Sequence, residues 1–139
     1  MILADEDGGR SVGIRPSAIE GDLVTVEATV VDGTRRWIIT APMLRLDEAN
    51  DFAAWLAGLP GDLTLGAEEW TSLTFSKRTL SVSGRRIPGG MVELRLAVLG
   101  MRVTPGTATT DVVLGLRLPA ADVQLAALDL STELSRLGE

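Results

Sequence analysis

LVTVEATVVDGTRRWIIT, running from Leu23 to Thr40, is the stretch on which the fold turns. Val24, Val26, Ala28 and Val30 fall on one face and Thr25, Glu27 and Thr29 on the other, the two-residue alternation of a half-buried strand. "DGT" at Asp32 to Thr34 offers a residue tolerant of positive φ where a hairpin needs one. "RRWIIT" then returns, with Trp37 and Ile39 alternating against Ile38 and Thr40. Strands joined this tightly run antiparallel, because parallel neighbours need a long crossover.

Downstream, Pro42 is expected to stop the second strand. Asp47 is well placed as a helix N-cap, with Glu48 and Asp51 in the first turn where the helix dipole favours negative charge. Ala49, Phe52, Ala53, Leu56 and Leu59 make one buried stripe at helical spacing, Trp55 sits at its edge, and Gly58, Pro60 and Gly61 end the helix. "LTFSKRTLSVSG" offers Leu73 and Phe75, then Leu80 and Val82, as one bulged strand or two tightly joined ones. "GRRIPGG" reads as a turn. "MVELRLAVL" gives Val92, Leu94, Leu96 and Val98 inward with Glu93 and Arg95 outward, and "GMRVTPGTATT" reads as a long turn. "DVVLGLRL" then gives Val112, Leu114, Leu116 and Leu118 inward. Pro119 to Leu137 is a terminal amphipathic helix, with Val123, Ala126, Ala127, Leu130, Leu134 and Leu137 on one face.

Working back to the start, residues 1–10 carry Asp5, Glu6 and Asp7 before any apolar run and read as a loose N-terminal segment. Segments 4–10, 32–36, 60–69 and 102–110 look loop-like, and each is short enough to connect elements inside one domain spanning residues 1–139. The expected fold is α+β in two layers: a mostly antiparallel sheet of about five to six strands with two helices on one face.

Composition narrows the function. The formal net charge is −6 and Lys77 is the only lysine, which argues against affinity for nucleic acid or an anionic membrane. The start lacks the basic and apolar pattern of a signal peptide, and no apolar run approaches the ~20 residues of a membrane span. With no cysteine present, a cytoplasmic protein is expected. The acidity suits a basic partner, or serves only to keep a small protein soluble.

Histidine, cysteine and tyrosine are all absent, so Ser-His-Asp and Cys-His nucleophiles, a histidine base and a thiolate or imidazole zinc site are excluded. Acid–base work would fall to Asp, Glu or Lys77. The acidic groups do not follow the spacing of a calcium loop. Three Trp and two Phe are few for the sugar-stacking cleft of a paired-carboxylate glycosidase. The glycines lack the context of a phosphate loop and read as turns. No cofactor or metal is expected. Arg35 with Arg36, and Arg85 with Arg86, lie beside turns, either gripping an anion or discouraging edge-to-edge pairing. The candidate partner-binding residues are Glu48, Asp51 and Trp55 on the first helix with Glu68, Glu69 and Trp70 after it: carboxylates to steer an encounter and aromatics to anchor it.

In order, "LVTVEATVVDGTRRWIIT", "LRLDEANDFAAWLAGL", "LTFSKRTLSVSG", "GMVELRLAVL" and "LRLPAADVQLAALDLSTEL" resemble the layout of the WapI-type immunity proteins and related bacterial families. The likeness runs from about Leu23 onward and carries no functional residue across. It implies a small non-enzymatic cytoplasmic protein that binds and neutralises a toxin domain, a basic one if the acidity is complementary. Two other readings stand beside it: a module that self-associates through an exposed strand edge as a homo-oligomer, and a small-ligand binding domain or enzyme with a carboxylate site.

Overall fold

The computed structural model describes residues 1–59, 69–103 and 108–138. Its elements in chain order are β1 (Ile2–Ala4), β2 (Arg10–Glu20), β3 (Leu23–Asp32), β4 (Arg35–Arg45), α1 (Leu46–Gly58), β5 (Thr71–Leu73), β6 (Leu80–Ile87), β7 (Met91–Val103), β8 (Thr109–Pro119) and α2 (Ala120–Leu137). The strands form one sheet in the order β1-β2-β3-β4-β7-β6-β5, with β8 on the other edge of β7. Each strand pair is antiparallel.

The hairpin that sets this arrangement closes at Asp32↔Arg35, with Gly33 at φ 62°. Valines 24, 26 and 30 and Ala28 are buried, as are all the even-numbered residues of 92–98 and 112–118. The β7–β8 register sets Leu94 opposite Leu116 and Leu96 opposite Leu114, so both apolar sets turn to the same side. Glu6 N–H donates to the Arg117 carbonyl at 2.8 Å, so the sheet curls until its last strand lies beside its first.

Among the described residues the strand count is eight, not the expected five to six, and the N-terminus supplies two of them. Residues 1–10, expected as a loose segment, contain β1, with Met1 and Leu3 buried. In β2, Val12, Ile14 and Pro16 alternate inward. Pro16 disguises the strand, since proline cannot donate to a ladder. Here it lies beyond the three residues of β2 that pair β1, at a register shift between Pro16 and Ala18, where its missing N–H costs little.

Pro42 likewise does not stop β4. The strand passes through it to Arg45, with a register shift opposite Val24 and Thr25, and Met43 and Leu44 are both buried there. The segment expected as a long turn after Leu99 instead continues β7 to Val103, past a bulge at which Gly100 takes φ 71° and donates its N–H to Asp111 Oδ1. Between Thr71 and Ile87 there are two strands, paired Thr71↔Gly84 to Leu73↔Val82.

Helix α1 begins two residues earlier than an Asp47 cap requires. Arg45 is the N-cap, and Glu48 at the third helical position accepts its backbone N–H at 2.9 Å. The buried stripe is as expected: Ala49, Phe52, Ala53 and Leu56, facing Val123, Ala126, Ala127, Leu130 and Leu134 of α2 within a common core. The two helices pack on each other, α1 reaching β3 and β4 and α2 reaching β1, β2, β7 and β8. At Gly84 of β6, a Cβ would stand 2.7 Å from Leu59 and 3.1 Å from Trp55, so the end of α1 rests directly on that strand. Glycine permits this approach because it has no side chain to hold the helix off.

Candidate partner-binding surface

Three acidic side chains start α1, and the structure gives each a different task. Asp47 pairs with Arg45, Oδ1 to Nε at 3.4 Å. Glu48 is bonded on both oxygens: Oε1 accepts the Arg45 N–H and the Ser76 hydroxyl, at 2.9 and 3.0 Å, and Oε2 accepts the Ser76 N–H at 2.6 Å. Burial pushes the Glu48 carboxyl up, but the hydrogen bonds from Arg45 and Ser76 outweigh it and hold the group below the usual glutamate value. Glu48 therefore clamps the segment after β5 to the head of the helix. Asp51 is exposed and forms no ion pair among the described residues.

Trp55 is half-buried, tilted against Phe52 with ring centroids 6.4 Å apart and lying over Gly84. Its Nε1–H points to Thr71 Oγ1 across 3.5 Å. It is a packing residue. Glu69 is exposed, and Glu68 lies outside the described residues.

Trp70 has a different setting. The Arg85 and Arg95 guanidinium carbons lie 4.7 and 4.4 Å from its ring centroid, a double cation–π contact. Because Gly84 faces Trp55 and Leu59, the next residue, Arg85, emerges on the opposite side of β6. Trp70 is on that side with it. Of the residues expected as one surface, four have distinct settings: Glu48 and Trp55 hold the fold, Asp51 projects from α1, and Trp70 belongs to the far side of the sheet.

That far side also carries Arg85, noted in the sequence as half of a turn-side arginine pair, with Glu93 and Arg117, which were not singled out as candidates. The registers align Arg85, Glu93 and Arg117 in one row across β6, β7 and β8. Arg85 Nη2 meets Glu93 Oε1 at 2.9 Å and Arg117 Nε meets Oε2 at 3.2 Å, so one carboxylate holds two arginines. Alternation places Glu93 and Arg95 outward in the sequence, but only the cross-strand register reveals the row.

A groove of about 490 Å³ lies on the outside of β2 and β3 around Gly13, rimmed by Ile2, Arg15, Glu27 and Arg36. Its carboxylates are engaged, Glu27 with Arg15 at 3.1 Å and Glu133 with the Met1 ammonium. Among the described residues, no group of three or more Asp, Glu, His or Cys could hold a metal ion. Among the same residues, no helix is long and apolar enough to cross a membrane.

The sequence pattern described as the immunity protein WapI-like family matches residues 7–138 of this chain, nearly its whole length. No curated protein matches it.

Proposed function

Since this chain belongs to the immunity protein WapI-like family, we propose that it neutralises a toxin domain in the cytoplasm by binding it, with no chemical step of its own. The observation that carries the proposal is Asp51: of the three acidic residues that open α1, it is the one left exposed and without an ion pair among the described residues. Asp51 is thus an exposed carboxylate on a protein of net charge −6. Such a charge steers association with a basic toxin domain and sets its orientation.

The test is co-expression with a candidate toxin domain chosen from the genes adjoining its own. Restored growth and a stable complex on gel filtration are expected. A toxin that remains lethal and elutes alone would overturn the proposal. A second reading, self-association, has one specific basis: among the described residues β8 forms a strand ladder with β7 alone, with Arg117 bonded to Glu6 and Asp5 at its far end, and Val113 on it is 72% exposed. A mass that rises with concentration would favour that reading.

A further inference from the structure

Of the edge strands among the described residues, β1 and β5 have three residues each and β8 has eleven. Short edges are hard to extend, while a long one offers a row of free backbone groups. Which groups β8 offers follows from its bonds at one end. Arg117 gives its N–H to Asp5, and its carbonyl accepts the Glu6 N–H, so both groups point away from β7. Backbone direction alternates along a strand, so the same holds for Gly115, Val113 and Asp111. β7 agrees. Leu99 N–H donates to the Thr79 carbonyl on the β6 side, which leaves the even-numbered residues Val92 to Val98 to bond the even-numbered residues of β8 opposite them. Among the described residues, nothing bonds to the outward N–H or C=O of Val113 or Gly115, and the Asp111 carbonyl meets only the Thr110 hydroxyl at 3.5 Å.

This stretch is also unguarded. Thr109 to Gly115 contains no Lys, Arg or Pro, the residues that commonly blunt an exposed edge. Its one charge, Asp111, is drawn back onto its own sheet, Oδ1 accepting the Gly100 N–H at 3.0 Å. Thr109, Thr110, Val112 and Val113 are β-branched and favour an extended chain. Beside the edge, Leu99 is 42% exposed and Ala97 lies opposite the exposed Val113, so the rim is apolar.

We infer that this edge pairs with the same edge of a second copy, antiparallel about a two-fold axis at Val113, so that one sheet continues through both molecules. The register is self-complementary. With Val113 opposite its own symmetry mate, Asp111 falls opposite Gly115, and the outward N–H and C=O groups of all three residues find partners. No like charges stand opposite each other. Asp111 sits diagonally across from Arg117 of the second copy on the same face, within reach of a long side chain. Pairing ends there, because the Arg117 backbone is already bonded to Asp5 and Glu6. A foreign strand would satisfy the same backbone groups, but the match of charges and apolar side chains singles out a second copy. Pairing of this kind rests on the self-association reading and does not compete with toxin binding, because Asp51 is on α1, which packs against β3, β4 and α2.

A ladder this short buries less than the ~1,200 Å² of standard complexes, so sedimentation equilibrium should run from about 10 µM to about 1 mM. The full chain should rise from one chain mass toward two. Val113→Lys, at an exposed position, brings two ammonium groups together across the axis; it should stay at one chain mass throughout, with an unchanged melting curve. The chain has no cysteine, so Val113→Cys carries a single thiol. Diamide should link it into a dimer on a denaturing gel and leave Leu128→Cys, exposed on α2, as a monomer. A wild-type mass constant to the highest concentration overturns both the inference and the self-association reading. In that case, a toxin domain bound by wild type and not by Val113→Lys would make the edge a site for a toxin strand instead. A rise shared equally by Val113→Lys, or cross-linking of Leu128→Cys as readily as of Val113→Cys, overturns the inference alone and leaves self-association standing through another surface.

Discussion

The backbone N–H of Arg117 donates to Asp5 Oδ1 across 2.6 Å, joining β8 to a residue 112 positions earlier in the chain. Asp5 is the one buried charged side chain among the described residues, 6% exposed. Its own N–H donates to the Arg10 carbonyl at 2.8 Å, and Arg10 Nη2 lies 3.4 Å from its Oδ2. With the neighbouring bond from Glu6 N–H to the Arg117 carbonyl, it fastens the curled sheet where first and last strands meet.

Asp5 should make the fold acid-sensitive. The Arg117 N–H is the main reason its carboxyl lies below the ordinary aspartate value of 3.8; burial opposes the shift and contacts with Asp7 and Arg10 add to it. A group whose folded pKa is depressed contributes stability above its unfolded pKa and loses it as pH falls through the folded value. Stability should therefore drop as pH falls below about 4. Asp5→Ala should cost about 1–3 kcal/mol at neutral pH by stranding a buried N–H. Asp5→Asn, which keeps an acceptor, should cost less and flatten the acid limb. Urea unfolding from pH 7 to pH 3 reads both effects, and identical pH profiles for wild type and Asp5→Asn would contradict the assignment.

Glu48→Ala should release the segment after β5 from the head of α1. The loss of three hydrogen bonds should cost about 1–2 kcal/mol, and exchange of the Ser76 amide should accelerate more than that of the β7 amides. Amide exchange by NMR tests this, with unchanged protection at Ser76 as the negative outcome.

Asp51→Arg alone is the informative charge reversal. Glu48 is unsuitable for it because its carboxylate is part of the fold. The reversal should cost no more than about 1 kcal/mol of stability, while association with the toxin domain slows, most strongly at low salt. Stopped-flow rates at two ionic strengths measure it; a rate equal to wild type at low salt would count against steering through α1.

Gly84→Ala should destabilise by about 1–3 kcal/mol through overpacking, because the new methyl meets Leu59 and Leu94 within 3 Å and lifts Trp55. Leu94→Ala should cost more, about 2–5 kcal/mol, as a cavity. Thermal melts give the order, and a shift in tryptophan fluorescence is expected for Gly84→Ala.

Trp70→Ala and Arg95→Gln should be coupled. A double-mutant cycle on unfolding free energy should return about 0.5–1 kcal/mol for the cation–π pair, and strict additivity would show the stacking to be energetically empty.

Local pattern was enough for much of this protein. Two-residue alternation placed β3, β7 and β8 and named their buried residues, and helical spacing placed the buried faces of α1 and α2, because each element shows its period within a dozen residues. The missing histidine and cysteine removed whole classes of chemistry without any structure. Where the sequence misled, a local rule was overridden at a distance. Pro42 read as a strand breaker, yet it lies at a register shift that spares its missing N–H, as Pro16 does in β2. The start of the chain read as loose, yet Asp5 is fastened to Arg117. The different settings of the candidate surface residues have the same cause. Spacing could show that Glu48, Asp51, Trp55 and Trp70 lie near one another in sequence, but whether a carboxylate faces solvent or Ser76, and on which side of β6 a tryptophan falls, depends on what folds against it. The sequence by itself determined periods, faces and excluded chemistries, which are short-range properties of the backbone. Register across strands, the closing of the curled sheet and the occupation of each acidic side chain were decided only by the tertiary structure, because they are contacts between residues that no local pattern brings together.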